Sequence, residues 1–160
     1  MRESIGATWI LGIVLVFITL FSGYLAFSVN YSKAFRVKDA IIDRIEKYSG
    51  VTQDSVEEIQ TYINEIGYSS RGNCGNVSNA ELKRIGILEG VVEYPPSDGK
   101  LYNVCIEKVS AYNPSGQLSS AYYKVTVFFS FNIPILNFNS AFHVDGETAN
   151  IIYPKDEFMR

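Results

Sequence analysis

Residues 5–29 read IGATWILGIVLVFITLFSGYLAFSV, 25 residues without a charged side chain. At 1.5 Å per residue a helix of that length spans roughly 37 Å, enough to cross a hydrocarbon core of about 30 Å with some tilt. Trp9 and Tyr24 lie toward its two ends, where amphipathic rings prefer the membrane–water interface. Gly12, Thr19, Ser22 and Gly23 are tolerated in lipid and let helices approach closely. A cleaved secretory signal predicts a shorter apolar core, about 7–15 residues behind a basic region. Here the run is longer and follows only Met-Arg-Glu-Ser. The stretch reads as a single transmembrane helix.

The helix does not stop where the apolar run ends. From Asn30 to Tyr48 there is neither Pro nor Gly, and Gly50 supplies the first stop signal. Ala34, Val37, Ile41, Ile45 and Tyr48 fall three and four residues apart and form one apolar stripe, with charged residues on the other faces. Residues 1–50 thus read as a transmembrane and amphipathic stalk, and residues 51–160 as an α+β domain. Either Thr52 or Asp54 caps a second helix running to about Ile66, with Val56, Ile59, Ile63 and Ile66 at helical spacing.

Beyond it the chain turns to β-structure. Residues 67–80 are rich in Gly, Ser and Asn and read as turn, followed by a short helical patch around Glu81–Leu88. Three strands follow a break at Tyr94–Gly99: Leu101–Tyr112, Ser120–Ile133 and Phe142–Tyr153, the last with a bulge or kink at Gly146. Asn113-Pro114-Ser115-Gly116 separates the first two, Pro presetting φ and Gly permitting positive φ. Short links predict an antiparallel meander of three or four strands, whose apolar face the amphipathic half of the stalk covers.

Little in the chain points to catalysis. Fourteen basic and 17 acidic residues give a net charge of −3, which offers no basic stripe for nucleic acid. Cys74 and Cys105 are too few for a structural zinc site. An exported domain allows them to pair, closing a loop of about 30 residues for about 3–4 kcal/mol; the alternative is two unpaired thiols. His143 shares a strand face with Asp145 and Glu147 through alternation alone and reads as solvated surface. No Gly-x-Ser-x-Gly elbow or phosphate-binding Gly-rich loop is present, so neither enzyme activity, cofactor nor metal is expected.

This layout, with Arg2–Ala7 leading into the anchor and strands at Val125–Ile135 and Val144–Ile151, resembles the type IV pilin-like plan. More closely it is similar to the tight-adherence (TadE/TadG-like) pseudopilins of bacterial envelopes. The resemblance implies a long N-terminal helix packed on a small antiparallel sheet. It further implies a structural or assembly role in a surface pilus or secretion apparatus, with membrane lipid and sister subunits or machinery proteins as partners. In such families an acidic residue near the helix start pairs with a neighbour's N-terminal amine, and Glu3 is the candidate. The alternative is that Glu3 caps the helix dipole, for about 0.3–1 kcal/mol. The chain departs from the family in lacking a basic leader ending in Gly, so it is expected either to begin near a mature end or to stay unprocessed. Lys33, Arg36 and Lys38, counted literally, place the domain in the cytoplasm, but that rule weakens for long translocated domains. Composition and resemblance together predict a single-pass membrane protein with the domain outside. The rival is a membrane-anchored extracytoplasmic ligand-binding or sensor domain, which predicts a pocket lined by polar groups.

Overall fold

The computed structural model describes residues 2–75, 83–89, 91–133 and 138–157, with 2–7, 131–133 and 138–141 described through their backbone alone. The elements are α1 (Arg2–Lys47), α2 (Gln53–Glu65), β1 (Gly72–Asn73), β2 (Lys83–Leu88), β3 (Val91–Glu93), β4 (Leu101–Tyr102), β5 (Val104–Tyr112), β6 (Leu118–Ile133), β7 (Phe138–Glu147) and β8 (Ile151–Ile152). A long N-terminal helix lies against an antiparallel sheet in the order β3-β2-β5-β6-β7, with β8 added to β6 and a separate β1-β4 pair. The fold is α+β. Among the described residues the sheet has six strands, two to three more than alternation alone predicts.

Helix α1 is one rod with two surroundings. Between Thr8 and Ala26 it is largely exposed, Trp9 at 72%. In its second half Ala34, Val37, Ile41 and Ile45 are fully buried with Ile85, Ile87, Val104, Ile106, Val125 and Val127 of the sheet. The helix ends at Lys47 in a Schellman arrangement: Gly50 N–H donates to the Ile45 carbonyl (2.9 Å), and Ser49 N–H to that of Glu46 (3.1 Å). Ser49 takes the left-handed conformation. Gly50 has φ +145°, and a Cβ there would sit 2.9 Å from an Asp156 carboxylate oxygen. Tyr48 lies past the helix end, half-buried, its hydroxyl donating to Glu58 of α2 (2.8 Å).

Thr52 is the cap of α2: its hydroxyl accepts from Ser55 N–H (3.2 Å) and the Ser55 hydroxyl accepts from Thr52 N–H (3.0 Å). Val56, Ile59 and Ile63 then face the core.

Four sequence readings are corrected. Residues 83–88 form a strand rather than a helical patch, because Ile85 and Ile87 alternate into the core and pair with Ile106 and Val104 of β5. The strand expected over Leu101–Tyr112 breaks at Asn103, which is fully buried, its side chain donating to the Ser70 carbonyl (2.8 Å) and accepting from Glu89 N–H (3.2 Å). Gly146 makes no bulge; it pairs in register with Val125, and a Cβ would press 2.5 Å from the Lys38 side chain and 2.8 Å from Ile42. Glycine there lets α1 approach the strand. The third predicted strand is also two, β7 and β8, divided at 148–150.

The C-terminal segment locks the helices to the sheet. Asp156, buried, accepts from Val51 N–H (2.9 Å), from the Tyr123 hydroxyl (2.5 Å) and from the Lys108 ammonium, itself buried on the core face of β5. Lys155 N–H donates to Ser49 and Glu157 N–H to Val51, so the tail runs beside the helical turn. Burial and the adjacent Asp156 hold the Tyr123 hydroxyl protonated, its pKa raised well above the ordinary phenol value. Replacing Asp156 with Ala strands a buried ammonium and is expected to destabilise the domain by about 3–5 kcal/mol. Unfolding of the micelle-bound chain in denaturant measures it, and Lys108→Met in the same background should recover part of the loss.

Candidate functional site

Two surfaces bear on function: the apolar half of α1 and the outer face of the sheet. Among the described residues one helix is long and apolar enough to cross a membrane, none of its most apolar stretch buried. The side chain of Glu3, the candidate assembly charge, lies outside the described residues. Of the packing stripe, Ala34, Val37, Ile41 and Ile45 are occupied by the chain's own sheet, and Tyr48 by α2. That stripe offers no free surface to another subunit.

The outer sheet face has a small core of its own. Cys74, Tyr102, Cys105 and Phe128 are buried together, with Leu88 at their edge. Gly86 lies under the Tyr102 ring and Gly72 under the Phe128 ring, where a Cβ would come within 2.4 Å and 2.1 Å of ring carbons. The bend at Asn103 is what brings Tyr102 and Cys105 to one face, since regular alternation sets positions three apart on opposite faces. Cys74 and Cys105 are joined in a disulfide, 31 residues apart with Cα atoms 5.6 Å from each other. It staples the 68–75 segment over the sheet, and Tyr68 adds a hydroxyl bond to the Phe128 carbonyl (2.5 Å). Burial raises the Tyr68 pKa, keeping that donor protonated.

Beside the disulfide lies a groove of about 250 Å³ with Arg84, Glu107, Lys124, Thr126, His143 and Asp145 on its walls. Arg84 is bound to Glu107 through Nε (2.9 Å) and a second guanidinium nitrogen, and also donates to the Cys74 carbonyl. Asp145 accepts from the Thr126 hydroxyl (2.7 Å) and has Lys124 Nζ at 3.8 Å and His143 Nε2 at 3.7 Å. Cations and carboxylates are thus paired off along the groove. Among the described residues no cluster of His, Cys, Asp or Glu is suited to a metal ion. Sequence alternation places His143, Asp145 and Glu147 on one face; the pairing of Asp145 with Thr126 across β6 and β7 needs the register.

At the sheet's edge, Glu93 accepts from the Lys100 ammonium and the Tyr102 hydroxyl, and from Ser97 (3.2 Å). Those bonds, Lys100 first, hold its carboxyl down at about 2 from an ordinary 4.5. A depressed acid stabilises the fold fully above its unfolded pKa, and the contribution is lost as pH falls through the folded value. Stability should therefore decline between about pH 4.5 and 2 more steeply than in Glu93→Gln, as read by thermal unfolding across that window.

Compared with protein-family models, curated proteins and solved structures, the chain has no significant match.

Proposed function

We propose that the chain is a single-pass membrane protein of pilin-like design, a minor pseudopilin serving as a structural or assembly component of a bacterial surface pilus or secretion apparatus. The observation that carries this reading is the continuity of α1: one helix is exposed and apolar in its first half and forms the core of an antiparallel α+β domain in its second. A domain built around its own anchor is suited to being held in fixed register with neighbours rather than to turning over a small molecule. The paired-off charges of the outer groove agree with that. With the stripe at 34–45 buried internally, association between copies falls to the apolar half of α1, whose Gly12 and Thr19 permit close approach in lipid. The disulfide favours an oxidising compartment, and so a domain outside the cytoplasm.

Topology mapping tests the reading. A membrane-impermeant maleimide added to intact cells should label Cys74 and Cys105 only after reductant; labelling confined to inverted vesicles overturns the external domain. Glu3→Ala addresses assembly. Retention of membrane insertion and of the folded domain, with loss of cross-linking between subunits, is expected of a docking charge, whereas unchanged cross-linking leaves Glu3 as a helix-dipole cap.

A further inference from the structure

The β6–β7 hairpin reaches past the point where the domain meets the anchor. Three contacts trace β7 along α1. Ala149 N–H, just beyond the strand, donates to Glu46 (2.7 Å), Gly146 lies against Lys38 and Ile42, and the Phe142 ring is 5.7 Å from that of Phe27. Strand and helix therefore run in the same sense, and the turn end of the hairpin points toward the N-terminus of α1. Phe129 pairs with Phe142 and also packs on Phe27 and Tyr31, at 5.6 and 5.9 Å between ring centroids.

Four paired rungs remain beyond that level, ending with Ile133 opposite Phe138. At roughly 3.3 Å per residue they extend about 13 Å further, the height of about nine residues of helix. Phe27 already lies inside the charge-free stretch that ends at Val29. The hairpin end thus overlaps the apolar segment in height rather than stopping short of it. Its composition matches: the 18 residues from Val125 to Phe142 contain no Asp, Glu, Lys or Arg. At the sheet's opposite end the β5–β6 turn reads Asn-Pro-Ser-Gly. Tyr31 and Phe35, half-exposed and one turn apart on one side of the helix, lie between the two zones with Lys33 and Arg36 next to them in sequence, the order of side chains that a membrane interface selects.

We propose that the β6–β7 hairpin is a second membrane contact, its end seated at the boundary between headgroups and acyl chains of the leaflet from which the domain emerges. Depth is limited by chemistry. An open strand edge has backbone groups that hydrocarbon cannot satisfy, and the Asn132–Asn139 rung is polar, so the hairpin end, level with about residue 18 of α1, goes no deeper than about 9 Å below a boundary set near Tyr24. The inference rests on α1 being the anchor.

Site-specific fluorescence on the full chain in phosphatidylcholine–phosphatidylglycerol vesicles tests it. The native cysteines are bonded to each other, so Ile133→Cys takes a single environment-sensitive label; Phe138→Cys repeats the reading from the facing strand should the first variant fold poorly. Ser115→Cys and Phe17→Cys are references in the β5–β6 turn and the anchor. The expected result is several-fold stronger quenching at Ile133 by nitroxide-bearing lipid than by aqueous iodide, with the reverse at Ser115. Quenching of Ile133 by iodide, or protection from both quenchers, with Phe17 still quenched by lipid, overturns the hairpin contact alone. Iodide access at Phe17 overturns the anchor itself.

Discussion

The fold turns on the buried carboxylate of Asp156. It receives a hydrogen bond from the backbone at the start of the α1–α2 connection, another from a tyrosine on β6, and an ion pair from a lysine on β5. Each partner belongs to a different part of the domain. Hydrophobic burial brings α1 to the sheet but is indifferent to small slides along it; a carboxylate with several directional partners is not. Removing any one partner leaves a buried polar group unmet, and the resulting penalty is what makes the arrangement specific. The close fit of Gly50 against the tail, and of Gly146 against α1, follows from the same requirement that these segments approach to contact distance.

The outer sheet face is organised differently. There the bend at Asn103 redirects the chain so that Tyr102 and Cys105 share one side, and the disulfide, the Tyr68 hydroxyl and two glycines under aromatic rings hold the 68–75 segment down as a lid over a small second core. The domain is therefore covered on both faces, by a helix on one and by a stapled loop on part of the other.

Much of this was legible from local pattern. The long apolar run, the Ala34–Ile45 part of the packing stripe, a helix cap at Thr52 or Asp54 and the alternation of Tyr123 to Phe129 each depend on residues a few positions apart. Local pattern failed where distant residues decide. Lys-Arg-Ile-Gly-Ile-Leu at 83–88 is too short to declare its period, and only pairing with β5 makes it a strand. Lys108 looks like a surface charge until Asp156, 48 positions later, meets it in the core. Asn103 reads as one more outward strand residue, yet it is buried because the chain bends there and needs its amide to satisfy the backbone carbonyl of Ser70 and the N–H of Glu89. Among the functional candidates, the two cysteines were visible as a pair but their partners, Tyr102 and Phe128, were not, since they assemble from three strands and a loop.

One consequence follows from the absence of any Pro or Gly between Asn30 and Tyr48. A globule on a flexible linker passes on only tension, because the linker swivels and bends before anything else does. Here the helix that is long and apolar enough to span a bilayer is also the spine of the globule, so no swivel separates the two. Twisting or leaning of the rod must turn the whole sheet with it, as a crank turns with its shaft. Whatever grips the apolar first half of α1 thereby sets the azimuth and inclination of the domain, and a push on the domain is felt as torque at that grip.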